Sequence, residues 1–162
     1  MGLLPEADNI ELTKVGGPGK EFWIFGENFP NAPRPNSGNE YEIGAWRIEL
    51  SPSKPSAEDL FLNVMQIGGA PLAARRIDAG EFVGARIANS IAFFHRDGTR
   101  ADRAVSFVLD GASQVKVLVT DLAEGTWQVR LDGRIVQPAI TVTAEAGVLF
   151  FEGPPGRYEL RR

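Results

Sequence analysis

The chain contains no cysteine, one histidine, two methionines and two tyrosines. Without cysteine there is no disulfide, no thiolate zinc site and no sulfur nucleophile. A single imidazole, His95, cannot build a multi-histidine metal centre. Excess positive charge is missing too. The 17 Lys and Arg face 21 Asp and Glu, for a formal net charge of −4. That excludes the domain-wide basic field that nucleic acid requires. No run approaches the roughly 20 apolar residues of a membrane span. Residues 1–8 (MGLLPEAD) have neither the basic start nor the apolar stretch of a secretory signal, and Glu6 breaks the myristoylation pattern. This leaves a cytoplasmic protein or a mature or excised piece of a longer one, and the second is preferred. Apolar residues at i, i+3, i+4, i+7 are not found over any convincing length, and no GxSxG nucleophile elbow exists.

What is present is strand and turn. At 162 residues the chain is expected to form one domain, 1–162, able to bury a core without staples. Eighteen glycines and eleven prolines exceed the average of roughly 12% for the pair, as short strands joined by tight turns require. The stretch 45–67 organises the expectation. Trp46, Ile48 and Leu50 alternate with Arg47 and Glu49, the period of two that turns one apolar face inward. The run 60–67 (LFLNVMQI) is apolar at nearly every position and reads as a central strand covered on both sides. The prolines of 51–56 (SPSKPS) keep the spacer out of any ladder.

Further strands are expected at 9–15, 21–25, 82–88, 91–95, 105–109, 115–120, 126–131, 134–137, 140–143, 147–151 and 157–160, with 72–78 a strand or one helical turn. Gly16-Gly17-Pro18-Gly19 lacks the spacing of a phosphate loop and reads as a hairpin turn returning at 21–25. Asp97-Gly98 signals a tight hairpin; Asp110-Gly111 and Asp132-Gly133 are further turns. Trp46 and Trp127, in phase with aliphatic neighbours, are assigned to the core. The pattern predicts an all-β, antiparallel, jelly-roll-like β-sandwich of about 12–14 strands, with a barrel as second choice.

Chemistry-bearing residues are sparse. His95, at a strand end beside a turn, reads as structural rather than as a general base. Carboxylate pairs (Glu40 with Glu42, Glu58 with Asp59, Asp97 with Asp102) match no calcium-loop spacing; no cofactor is expected, although a structural calcium is compatible with them. Aromatics near the long loop 29–44 point elsewhere. Sugars stack on aromatic rings while polar groups take their hydroxyls, and an arginine fork takes a uronate or sulfate. Trp23, Phe29, Arg34, Tyr41 and Arg47 are therefore the candidate carbohydrate-binding residues. Arg75, Arg76, Arg86, Arg96, Arg100 and Arg103 are either a solvated surface or a further contact for an acidic polysaccharide.

Several segments, in order, resemble the C-terminal β-sandwich region of heparinase II/III-like polysaccharide lyases: GGPGKEFW at 16–23, GAWRIELSP at 44–52, EDLFLNV at 58–64, FHRDG at 94–98, LAEGTW at 122–127 and GPPGRY at 153–158. The resemblance spans about 9–160. It implies a parent enzyme with an α-helical toroid followed by β-sheet domains, and a periplasmic or secreted location. In such lyases a Tyr and a His remove the proton α to a uronate carboxyl and the 4-linked sugar is eliminated. Those residues come mainly from the toroid and central sheet, and none maps onto this chain. The resemblance thus implies a non-catalytic accessory domain that binds acidic polysaccharide. The alternatives are a purely structural domain packed on a lyase catalytic domain, or a small stand-alone lyase or isomerase.

Overall fold

The computed structural model describes residues 2–4, 9–29 and 46–162. In chain order the strands are β1 (Gly2–Leu4), β2 (Ile10–Gly16), β3 (Trp23–Ile24), β4 (Glu27–Asn28), β5 (Trp46–Pro52), β6 (Leu62–Asn63), β7 (Ala74–Ala79) and β8 (Phe82–Ile87). They continue with β9 (Ser90–His95), β10 (Val105–Leu109), β11 (Val115–Val119), β12 (Gly125–Leu131), β13 (Arg134–Val142), β14 (Leu149–Gly153) and β15 (Gly156–Arg161). No α-helix occurs among the described residues. The chain divides into two compact units, Pro5–Asp59 and a larger one made of Met1–Leu4 and Leu60–Arg162.

The larger unit is a β-sandwich. One layer has the order β10-β15-β12-β13 and the other β14-β11-β9-β8-β7. Alternation builds it strand by strand. Val105, Phe107 and Leu109 of β10 are buried, as are Val115, Val117 and Val119 of β11, while the residues between them point outward. Trp127 and Val129, Leu149 and Phe151, and Tyr158 and Leu160 repeat the pattern on β12, β14 and β15. An aromatic series joins the layers: ring centroids lie 4.7 Å apart for Phe93–Phe107, 5.8 Å for Phe107–Tyr158 and 5.0 Å for Phe151–Tyr158.

All strand pairs of the sandwich are antiparallel except β9–β11. Parallel neighbours need a crossover, and the excursion through β10, in the other layer, supplies it. The turn at Asp97-Gly98 therefore opens a crossover and not the expected hairpin: both edges of β9 are taken, by β8 and β11. Asp132-Gly133 does close a two-residue hairpin, with Leu131 opposite Arg134 and φ of 49° and 82°, the doubly positive pair that this turn demands. The expected strands 134–137 and 140–143 form one strand, β13. It lies at a sheet edge with irregular register, where Pro138 costs least.

Two N-terminal expectations are corrected. The strand returning on β2 is β5, from Ile10 opposite Pro52 to Gly16 opposite Trp46; the 21–25 segment forms only the two-residue β3, paired with β4. The doubly covered strand is β8, with Phe82 facing the main core and Val83 and Ala85 a second cluster on the outer face. The 60–67 run yields only β6. Leu60, Leu62 and Val64 pack on that outer face, while Met65 and Ile67 are 88% and 93% exposed. Here Gln66 folds the chain into a loop, donating to the carbonyls of Gly68 and Ala70 and accepting from the Leu72 amide.

Tyr158, fully buried, donates its hydroxyl to the Pro154 carbonyl at 2.8 Å. A Cβ on Gly153 would lie 2.0 Å from that hydroxyl. Gly153→Ala should therefore destabilise the fold by about 1–3 kcal/mol in urea denaturation. In the Tyr158→Phe background its cost should be smaller, because the first atom it meets is gone; additive costs in the double-mutant cycle would contradict this packing.

Candidate functional site

In the unit Pro5–Asp59 the β2–β5 register separates two faces. Ile10, Leu12, Lys14 and Gly16 share one with Leu50, Ile48 and Trp46; Thr13 and Val15 share the other with Glu49 and Arg47. The amphipathic pattern is thus real, but its apolar side is not core. Leu12, Ile48 and Trp46 are 62%, 64% and 51% exposed, correcting the assignment of Trp46 to the interior. Its ring lies over Gly17, where a Cβ would come within 2.7 Å, and Lys14 Nζ sits 4.1 Å from the ring centroid, a cation–π distance.

The opposite face carries a concavity of about 530 Å³ lined by Val15, Trp23, Ile24, Phe25, Arg47 and Glu49. Two of the five predicted residues meet here. The Arg47 guanidinium donates from Nη1 to the Trp23 carbonyl and from Nε to Glu49 at 2.6 Å. Lys20 Nζ lies 5.0 Å from the Trp23 ring centroid. The β3 approach is fixed by backbone: the Phe22 amide donates to Asn28 Oδ1 at 2.9 Å, and the Glu21 carboxyl accepts from Gly19. That carboxyl is held below its ordinary value, first by its own amide and then by that of Gly19. Phe29, half exposed, follows β4 and is not among the residues lining the concavity. Arg34 and Tyr41, with Glu40 and Glu42, lie outside the described residues.

Arg75, Arg76, Arg86, Arg96 and Arg100 of the larger unit are engaged. Arg75 and Arg86 both bond Asp110, Arg86 at 2.7 Å; Arg76 and Arg96 both bond Asp78, Arg76 at 2.9 Å. The Asp110 carboxyl is held low, chiefly by its hydrogen bond to Arg75. Arg100 reaches the carbonyls of Leu122 and Ala144 at 3.0 and 3.2 Å. His95 is likewise built into its turn. Its Nδ1 bonds Asp97, and its ring meets Phe82 edge-on at 4.9 Å. Asp97 in turn accepts from the amide and hydroxyl of Thr99 at 2.9 and 2.7 Å. Among the described residues no group of three or more His, Asp or Glu converges as metal ligands.

Sequence reasoning missed one surface, the outer face of the five-stranded layer. Ala92 and Phe94 of β9, Leu118 of β11 and Phe150 of β14 line a groove of about 460 Å³ there, with Phe94 and Phe150 39% and 53% exposed. The signal was available: IAFFH, VKVLV and LFF each hold an apolar residue at an outward phase.

The heparinase II C-terminal domain family matches the chain over residues 76–162, from within β7 to the C-terminus. The resembling segments at 16–23, 44–52 and 58–64 lie outside that match. Comparison with curated proteins finds no match.

The Thr99 hydroxyl, then the Thr99 amide, hold the Asp97 carboxyl below its ordinary value, with a smaller pull from His95. Such a group stabilises the fold above its ordinary pKa, and the contribution is lost as pH falls through the lowered folded value. Wild type should thus exceed Asp97→Asn in thermal midpoint near neutrality, and the gap should close below about pH 4. A gap that persists in acid would mean that the charge of Asp97 is not what holds the turn.

Proposed function

Because the chain belongs to the heparinase II C-terminal domain family, we propose that it is the accessory β-sandwich of a polysaccharide lyase and packs on the lyase's catalytic portion. The observation carrying this reading is the apolar outer face at Phe94, Leu118 and Phe150. These residues stand out of phase with the core, so the sandwich does not need them apolar. A contiguous apolar face of this kind marks a protein interface more often than a free surface. Inter-domain interfaces bury about 600–1,500 Å², and closing one over two half-exposed phenylalanines contributes about 2 kcal/mol for each.

A second reading has its own support in the Trp23–Arg47 concavity: an aromatic ring beside Lys20 and Arg47 is suited to an acidic sugar. Arg47 already holds Glu49, so Lys20 would be the more available cation for a uronate or sulfate.

Mixed with the catalytic portion of a lyase of this family, the chain should bind it in sedimentation velocity runs. Phe150→Glu should weaken that binding roughly thirtyfold and leave the thermal midpoint nearly unchanged. Unaltered affinity would refute the packing reading. Calorimetry against alginate, heparin and hyaluronan tests the second: heat that Trp23→Ala abolishes would support it, and no binding at millimolar sugar would end it.

A further inference from the structure

The four-stranded layer carries a concentration of positive charge. β10, β12, β13 and β15 hold four arginines, Arg130, Arg134, Arg157 and Arg161, and one acid, Glu159, in a chain of formal charge −4. Alternation sorts them. Val129 of β12 and Tyr158 and Leu160 of β15 are buried, so Gln128 and Arg130 face outward from β12, and Arg157, Glu159 and Arg161 from β15. These two strands are the centre of the layer, with β10 and β13 at its edges.

Register places Glu159 opposite Arg130 on one side and Ser106 on the other, and Arg161 opposite Gln128. Arg157 and Arg161 lie two residues to either side of Glu159, each about 7 Å along the strand, and Arg130 is about 5 Å across from it. Three positive charges thus stand around one negative, and two are uncompensated. The bonds these arginines make leave donors open. Arg161 donates from Nη2 to Glu159 at 2.8 Å, and Arg130 from Nε to Gln128 at 2.9 Å. The Arg157 guanidinium has no partner among the described residues; Asp132, at the hairpin turn, accepts from the Arg157 backbone amide at 3.0 Å. Each guanidinium has five donors in a planar fork that suits an oxyanion.

We propose that the outer face of the four-stranded layer binds a linear acidic polysaccharide, with Arg130, Arg157 and Arg161 taking its sulfate or carboxylate groups and Gln128 and Ser106 its hydroxyls. The site belongs to a different unit from the Trp23 concavity and to the other layer from the apolar groove, so it stands without either reading above. Nucleic acid fits this face poorly. Every aromatic residue of the four strands, Phe107, Trp127 and Tyr158, is buried, which leaves no ring for a base to stack on. A four-stranded layer is also too broad for a duplex groove that admits a helix or a two-stranded ribbon. An acidic protein would need an apolar anchor at the centre of the contact, and the exposed apolar residues of the layer, Val108, Ile135 and Val136, all sit on its edge strands. With no ring for a sugar either, charge carries the binding, and affinity falls as salt rises.

The whole chain, nitrogen-labelled for NMR, tests this against a heparin oligosaccharide, uncharged dextran and single-stranded DNA. Heparin should give saturable shifts at 128–130 and 157–161 that weaken as salt is raised, and dextran none. The triple variant Arg130→Gln, Arg157→Gln, Arg161→Gln, checked for an unchanged thermal midpoint, should lose about tenfold or more in affinity and most of its salt dependence. Arg157→Gln alone, which breaks no side-chain bond of the fold, should lose affinity in the same direction. Lys54→Gln, Arg103→Gln and Lys116→Gln together remove the same charge elsewhere and should bind as wild type. No shifts at millimolar heparin oligosaccharide, equal losses in the two triple variants, or DNA binding as tight as heparin would overturn the proposal. Shifts confined to the Trp23 concavity and abolished by Trp23→Ala would remove it and leave the concavity reading standing. Lost association with a lyase catalytic portion in the Arg130, Arg157 and Arg161 variant would make this face a protein contact and also overturn it.

Discussion

The interlocking of the two inner sheet faces is the constraint on which the larger unit depends. Phe93 and Phe151 come from one layer, Phe107 and Tyr158 from the other, and their rings meet in alternation between them. Side chains in a strand have a period of two, so a one-residue slip would carry a whole strand's apolar set out of the core. Fixing Phe93 inward therefore fixes Phe94 outward. Val117 inward fixes Leu118 outward, and Phe151 inward fixes Phe150 outward. The apolar outer face is the far side of the same register that makes the core.

Electrostatics work on a smaller scale. Asp78 and Asp110 each gather two arginines, and Asp97 holds the turn beside His95. Exposed pairs of this kind contribute little stability. Their effect is on recognition: guanidinium groups already bonded to carboxylates are poorly placed to take a second anion. Arg75, Arg76, Arg86 and Arg96, which read in sequence either as a solvated surface or as a contact for an acidic glycan, are in the fold cross-braces on Asp78 and Asp110.

The two units contrast in how they use the same alternation. In the sandwich the apolar faces of both layers close on one another. In the β2–β5 ribbon Leu12, Ile48 and Trp46 form an equally regular apolar face that stays exposed. Periodicity is therefore a statement about which residues share a side, and burial follows only where a second surface arrives.

That distinction separates what was legible in the amino-acid order from what was not. Strand positions from β8 onward, with the single β13 read as two strands, the Asp132-Gly133 hairpin and the buried Trp127 could be read directly, because alternation and turn chemistry act between residues close in the chain. So could the all-β sandwich and its family. Partner choice could not: β2 pairs with β5 rather than with the nearby 21–25 segment, and β9 takes β11 across an excursion to the other layer. The 60–67 run, apolar enough for a central strand, became a cover because β8 already occupied the doubly buried place. The meeting of Trp23 with Arg47 follows from the same pairings, and so does the exposure of Phe94 and Phe150. Local sequence sets which way each side chain faces, but the edges and faces left open depend on every other strand that has found its place.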